Sequence, residues 1–245
     1  MALIVTSTIL SSILLSGCTA ENLNEICLVS LSYSSDSTKT ALDPIVAVNG
    51  YSPTASTGTS FEVRVGYFGM CLMSSDQWIC SKDSRALESF ANRSQTGVVY
   101  DPYKLITSAE KFKDEVIFKG LHFISIIFGF CAFIVMAAFP GWHKEEDSEG
   151  SDQHVKLFPS KAAVKIALAF SFASAVISLF ATFWQHLSSS AAIAMSSAFT
   201  QGAVTGHVGV AAMALGWVSV FLLMTTFIGI LAMFLSISVL LRAIG

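Results

Sequence analysis

Long apolar stretches without charge set the frame of this chain. Residues 120–139 run 20 positions without a charge and residues 166–184 run 19, about what a helix needs to cross the hydrocarbon of a bilayer. Residues 208–241 add 34 uncharged positions, which as one helix would reach roughly 50 Å at about 1.5 Å per residue. That exceeds the bilayer, so a helix over 208–242 is expected to bury only about 221–241 in lipid. Residues 2–17 form a shorter apolar run of 16. We read 1–17 as a first span. A signal peptide cleaved near Cys18-Thr19-Ala20 and a lipoprotein-type signal at Leu15-Ser16-Gly17-Cys18 are the alternatives.

Between these stretches the pattern changes. Phe61-Glu62-Val63-Arg64-Val65-Gly66-Tyr67 alternates apolar and polar side chains with the period of a half-buried strand, and residues 26–33 and 45–48 are also rich in strand formers. A small antiparallel sheet is expected. In 103–119, Leu105, Ile106, Ala109, Phe112, Val116 and Ile117 recur at helical spacing among Lys and Glu, which predicts an amphipathic helix leading into the second span.

Composition agrees with a membrane protein: 53% of residues are hydrophobic and 13% charged, against about 25% charged in a soluble domain. Mean hydropathy is +0.64 and the net charge −3, with a pI near 5.9, which argues against a soluble enzyme and against a nucleic-acid partner. The charge is concentrated: 21 of the 31 Lys, Arg, Asp and Glu fall in 18–119. The chain thus reads as an α-helical bundle of four spans (1–17, 120–139, 166–184 and the fourth helix) joined to a polar domain at 18–119.

Lys144, Lys156, Lys161 and Lys165 flank the loop 140–165, and Arg242 closes the fourth helix; the positive-inside rule places both on the cytoplasmic side. The domain at 18–119 is then extracellular, as is a short second loop at 185–207. Asn92-Arg93-Ser94 is a glycosylation sequon, usable only on that side. Trp142, Trp184 and Trp217 fall where interfacial tryptophans belong at the ends of spans.

Gly66-Tyr67-Phe68-Gly69-Met70-Cys71, followed by Cys80, is the most informative stretch. A Cys71–Cys80 disulfide would close a hairpin-sized loop, worth about 2.5–3 kcal/mol of chain entropy; two unrelated cysteines on one secreted loop are the plainer reading. Glycines there would let the backbone bend or approach a neighbour closely, while the aromatics could pack on the sheet or at the bilayer.

Four spans, a large first outer loop and this Gly-aromatic-aromatic-x-x-Cys…Cys pattern resemble the claudin superfamily, and within it the fungal pheromone-induced calcium regulator and membrane-fusion family. Ser16-Gly17-Cys18, Leu31-Ser32-Tyr33, Trp78-Ile79-Cys80, Trp184-Gln185-His186 and the stretch 206–217 carry the likeness, which spans nearly the whole chain. It implies a left-handed claudin-like bundle with a small extracellular β-sheet, the motif residues Gly66, Tyr67, Phe68, Gly69, Cys71 and Cys80 as the functional core, and a second disulfide as one option for Cys18 and Cys27, although four cysteines allow three pairings. Animal claudins carry a Trp earlier in the first outer loop, whereas here the only one is Trp78, between the cysteines, so a paracellular barrier role does not carry over.

Chemistry of other kinds finds little support. Lys119, His122 and Lys165 lie at span ends, and the spans hold no ionisable residue at mid-depth, against a one-chain pore or proton-coupled transporter. His186 and His207 bracket the second outer loop without a third ligand, and read as interfacial histidines rather than metal ligands. Glu145-Glu146-Asp147-Ser148-Glu149 lacks the spacing of an EF-hand loop, while Asp76, Asp83 and Glu88 are carboxylates near the motif that could attract calcium. Small residues four apart, Ser174-Ser178 and Ala212-Gly216, suit close helix packing.

The resemblance therefore implies a non-enzymatic plasma-membrane protein that promotes calcium influx and cell fusion during mating. It would need no cofactor, calcium being transported or sensed. Its partners would be the lipid bilayer, the membrane of a partner cell, and either further copies of itself or a calcium-channel subunit. An adhesion or membrane-organising protein without a calcium role and an oligomeric ion-channel subunit are the competing functions.

Overall fold

A computed structural model describes residues 1–33, 61–74, 77–93, 104–139 and 161–244. The elements in chain order are α1 (Ala2–Leu15), β1 (Val29–Tyr33), β2 (Glu62–Val65), β3 (Met70–Ser74), β4 (Gln77–Ser81), α2 (Ser84–Arg93), α3 (Leu105–Lys111), α4 (Gly120–Ala137), α5 (Lys161–Phe199), β5 (Val204–Val208) and α6 (Val210–Ile244). The expected strand at 45–48, Trp142, Asp76 and the acidic run in the 140–165 loop lie outside the described residues. The chain divides into two compact units, 1–9 with 120–180 and 218–245, and 10–119 with 181–217.

The first unit is helical and inverted relative to a soluble protein. On α4 the buried positions are His122, Ser125, Gly129 and Ala132, while Phe123, Ile127, Phe130 and Ile134 are exposed. Likewise, in the part of α5 that belongs to this unit, Ala167, Ser171, Ser174, Ala175 and Ser178 are buried together with Val164, whereas Phe172 and Phe180 face outward. Small and hydroxyl-bearing residues inside with large apolar ones outside is the pattern of helices packed in lipid, where close approach and hydrogen bonds, not burial of large side chains, hold the bundle. Two reciprocal serine clasps supply those bonds. Ser125 Oγ donates to Ser174 O and Ser174 Oγ to Ser125 O, both at 2.9 Å; Ser7 Oγ donates to Ser219 O at 3.3 Å and Ser219 Oγ to Ser7 O at 3.5 Å.

Three helices among the described residues, Gly120–Ala137, Ala162–Phe199 and Val210–Val239, are long and apolar enough to cross a membrane. The protein is thus a membrane protein of mostly helical fold with a small antiparallel sheet. The stretch read as the first span forms α1, a shorter apolar helix of 14 residues, roughly 21 Å long at about 1.5 Å per residue.

Among the described residues, the second unit is built on an antiparallel five-stranded sheet in the order β4-β3-β2-β1-β5. Its register sorts the side chains into two faces. One carries Val29, Val65 and Met70 in one row and Leu31, Val63, Leu72 and Ile79 in the next; the other carries Ser30, Arg64, Cys71 and Cys80 beside Ser32, Glu62, Met73 and Trp78. The alternation at 61–67 therefore becomes β2 as expected, while β5 was not anticipated. Residues 185–207, read as a short loop, are helix as far as Phe199 and strand from Val204, because Val29–Tyr33 leaves an open edge that Val204–Val208 fills.

Two further differences concern the helices of this unit. Asp83 Oδ1 accepts the Arg85 backbone N–H at 3.0 Å and so caps α2, an element not foreseen; that carboxylate, and Glu88 bonded by Thr107 Oγ1 at 3.3 Å, already have partners within the chain. The amphipathic helix expected over 103–119 is α3 followed by a π-helical turn, Phe112–Val116. The wider turn shifts the helical phase: Val116 becomes exposed while Lys113 is buried, its Nζ donating to Lys82 O at 2.8 Å.

Candidate functional site

The expected motif is the hairpin that joins β2 to β3. Gly66 N–H donates to Gly69 O at 2.9 Å, closing the turn, and Tyr67 at its tip is only 2% exposed. The Tyr67 hydroxyl donates to Gln185 Oε1 at 2.8 Å, and Gln185 Nε2 in turn donates to Ala212 O at 3.4 Å. Burial holds the phenol well above its ordinary pKa. Phe68, half-buried, has the Lys119 ammonium 5.6 Å from its ring centroid. Motif, α5 and α6 are thus joined through one buried amide.

The two glycines of the motif are required by proximity. A Cβ at Gly66 would overlap the Gly17 carbonyl, and one at Gly69 the Cys18 carbonyl. Cys18 itself adopts the left-handed conformation, φ 56°, where the chain turns out of α1. The segment after α1 therefore lies directly against the hairpin backbone.

Cys71 and Cys80 face each other on β3 and β4 and are joined by a disulfide, Cα–Cα 4.0 Å. The second bridge does not form: Cys18 and Cys27 are free buried thiols. Both belong to the cluster of Cys71, Trp78 and Cys80, but their sulfurs are engaged elsewhere. Cys18 Sγ lies 3.8 Å from the carbonyls of Asn24 and Ile26, and Cys27 Sγ packs against Gly209. Burial raises both thiols, Cys18 further through its neighbour Cys27, while Arg64 opposes the shift.

Sequence reading missed Arg64. Its Nε contacts Glu62 Oε1 and its Nη1 Glu25 Oε1, each at 2.8 Å, and its guanidinium lies 4.3 Å from the Trp78 ring centroid. Ser30 Oγ donates to the same Glu62 oxygen at 2.7 Å. Burial works against the charge, but the hydrogen bonds to Glu62 and Glu25 outweigh it and raise the guanidinium further. The signal was present in the alternation, since Glu62 and Arg64 share a face at i, i+2; what was missing was the strand that brings Trp78 beside them.

The remaining expected residues are dispersed. Asn92 lies in the last turn of α2 and Ser94 of its sequon is outside the described residues. Trp184 is exposed, with Nε1 donating to Val116 O at 3.1 Å, and Trp217 is also exposed. His186 and His207 are exposed on different elements. Gly206 faces Ile193 of α5, so the strand's period of two turns His207 to the opposite face. Among the described residues no three His, Cys, Asp or Glu side chains are grouped to hold a metal.

Comparison with curated proteins returned no match. The model of the family described as "Ca2+ regulator and membrane fusion protein Fig1" matches residues 49–236, a stretch holding the Gly66–Cys80 motif, the disulfide, two of the long apolar helices and most of the third. That family is one of regulators and fusion proteins and not an enzyme family. With more than half of its 245 residues matched, the chain belongs to the family of the Ca2+ regulator and membrane fusion protein Fig1.

Proposed function

We propose that this protein is a non-enzymatic plasma-membrane component of fungal mating that promotes calcium influx on pheromone signalling and aids fusion of partner cells. The observation that carries the reading is that the family match takes in both the disulfide-bonded strands β3 and β4 and most of the long apolar helices. In this reading the sheet unit faces outward and α1 completes a claudin-like bundle of four spans. Support for α1 as a retained fourth helix comes from its buried Ile4 and from the Ser7–Ser219 clasp. The sheet unit would engage a calcium-channel subunit, a further copy of the chain or the partner cell's membrane. The motif's part is to fix the sheet to α5 and α6 through Tyr67 and Gln185.

The test is pheromone-stimulated calcium uptake in cells carrying Cys71→Ser at wild-type surface levels. Loss of uptake is expected. Normal uptake would overturn the role given to the motif.

A further inference from the structure

Helix α5 continues 15 residues beyond Trp184 before it ends at Phe199, roughly 22 Å at about 1.5 Å per residue. No Asp, Glu, Lys or Arg occurs anywhere in 185–210. Yet the end of the helix is not sheltered: Met195 and Phe199, one turn apart, are 59% and 85% exposed, and Phe199 is the most exposed large apolar side chain among the described residues. The backbone beneath them is pinned. Gly202 N–H donates to Ser197 O at 2.9 Å and Ala203 N–H to Thr200 O at 3.0 Å, Val204 N–H donates to Thr200 Oγ1 at 3.0 Å, and the chain then enters β5 against β1. A fixed, uncharged tip thus leaves two large apolar side chains uncovered by the rest of the chain.

We infer that Met195 and Phe199 insert into the headgroup–acyl boundary of an apposed bilayer. This rests on the reading above, that the sheet unit faces outward on a protein of membrane fusion. Three observations select lipid as the occupant. A phenylalanine buries about 200 Å², so the pair offers far less than the roughly 800 Å² per partner of a stable protein interface. A membrane, in contrast, rewards single apolar side chains in proportion to the area each buries. The tip's exposed polar neighbours, Ser197 and Gln201, are a hydroxyl and an amide that headgroups can hydrogen-bond, with no charge to desolvate. Finally, Trp184 is the kind of residue that sits at a membrane interface, and a tip some 22 Å further along the same helix reaches away from the bilayer that holds the chain.

Proteoliposomes bearing the full chain, mixed with protein-free fluorescent phosphatidylcholine vesicles, test this. Docking is expected, unchanged between about 0.1 M and about 1 M salt, because an apolar contact does not depend on the screening length. Combining Met195→Ser with Phe199→Ser should lower docking about tenfold or more, given what one buried side chain of this size is worth. Phe199→Trp should dock normally, with added fluorescence that brominated acyl chains in the acceptor vesicles quench; if the double variant fails to fold, this quenching decides. Undiminished docking by a folded double variant, absent quenching, or docking only when both vesicles carry the chain would overturn the inference, the last by making a second copy the occupant. Docking requires no calcium flux, so a chain that docks through Phe199 but supports no calcium uptake overturns the proposed function and leaves this inference standing.

Discussion

The Tyr67 hydroxyl at the tip of the β2–β3 hairpin donates to Gln185 Oε1 at 2.8 Å, across 118 positions of chain. Both side chains are buried, so removing either leaves a polar group without water to replace its partner. Tyr67→Phe should cost about 1–3 kcal/mol. A thermal melt in detergent of Tyr67→Phe, Gln185→Leu and the double variant should show strong coupling, with the double variant less destabilised than the sum of the singles. Additive effects would argue against the bond.

Gly66→Ala and Gly69→Ala should each destabilise by about 2 kcal/mol or more, toward or beyond the upper end of overpacking costs, since the obstacle is backbone carbonyl and not a side chain that can rotate away. Phe68→Ala, at a half-buried neighbour, serves as the milder control. The fraction of chain that resists limited proteolysis reads the difference.

Stability should fall in alkali. Cys18, Cys27 and Tyr67 hold their protons more tightly folded than unfolded, through burial first. Below the unfolded thiol pKa of about 8.5 both states are protonated and stability is flat; above it the unfolded chain releases protons first and gains ground. Unfolding midpoints should hold from neutral pH to about pH 8 and decline beyond. In the same range maleimide should label Cys18 and Cys27 much more slowly in the folded chain than in denaturant.

The serine clasp of α4 and α5 should be worth a modest amount. Ser125→Ala or Ser174→Ala is expected to cost about 0.6–2 kcal/mol in detergent, the range for hydrogen bonds between helices in a membrane. Ser174→Leu should cost more, because a Cβ built on Gly129 already comes within 3.2 Å of Ser174 Oγ and leaves no room for a larger side chain.

Much of the architecture was legible in the chain because its signals are local. An unbroken apolar run marks α4, and the period-two alternation around Val63 and Val65 marks β2. The pair Cys71 and Cys80 was readable as a bridge because nine positions suit two adjacent strands. The failures share a cause as well. Residues 185–207 carry no alternation strong enough to announce β5, and nothing near Phe112 signals the wide turn that buries Lys113. Cys18 and Cys27 sat at a plausible spacing for a bridge, but pairing depends on where each sulfur points.

The sequence by itself determined that this is a membrane protein with a polar, cysteine-bearing unit, since hydrophobic length, charge placement and strand periodicity act over a few residues. Tertiary structure alone decided that Gln185 holds Tyr67, that Arg64 lies over Trp78 between two glutamates, that Gly66 and Gly69 face the backbone after α1, and that Phe199 ends α5 in the open. Each of these joins residues far apart in the chain or depends on what a neighbour leaves uncovered, and such contacts are set by register and packing, which no local pattern encodes.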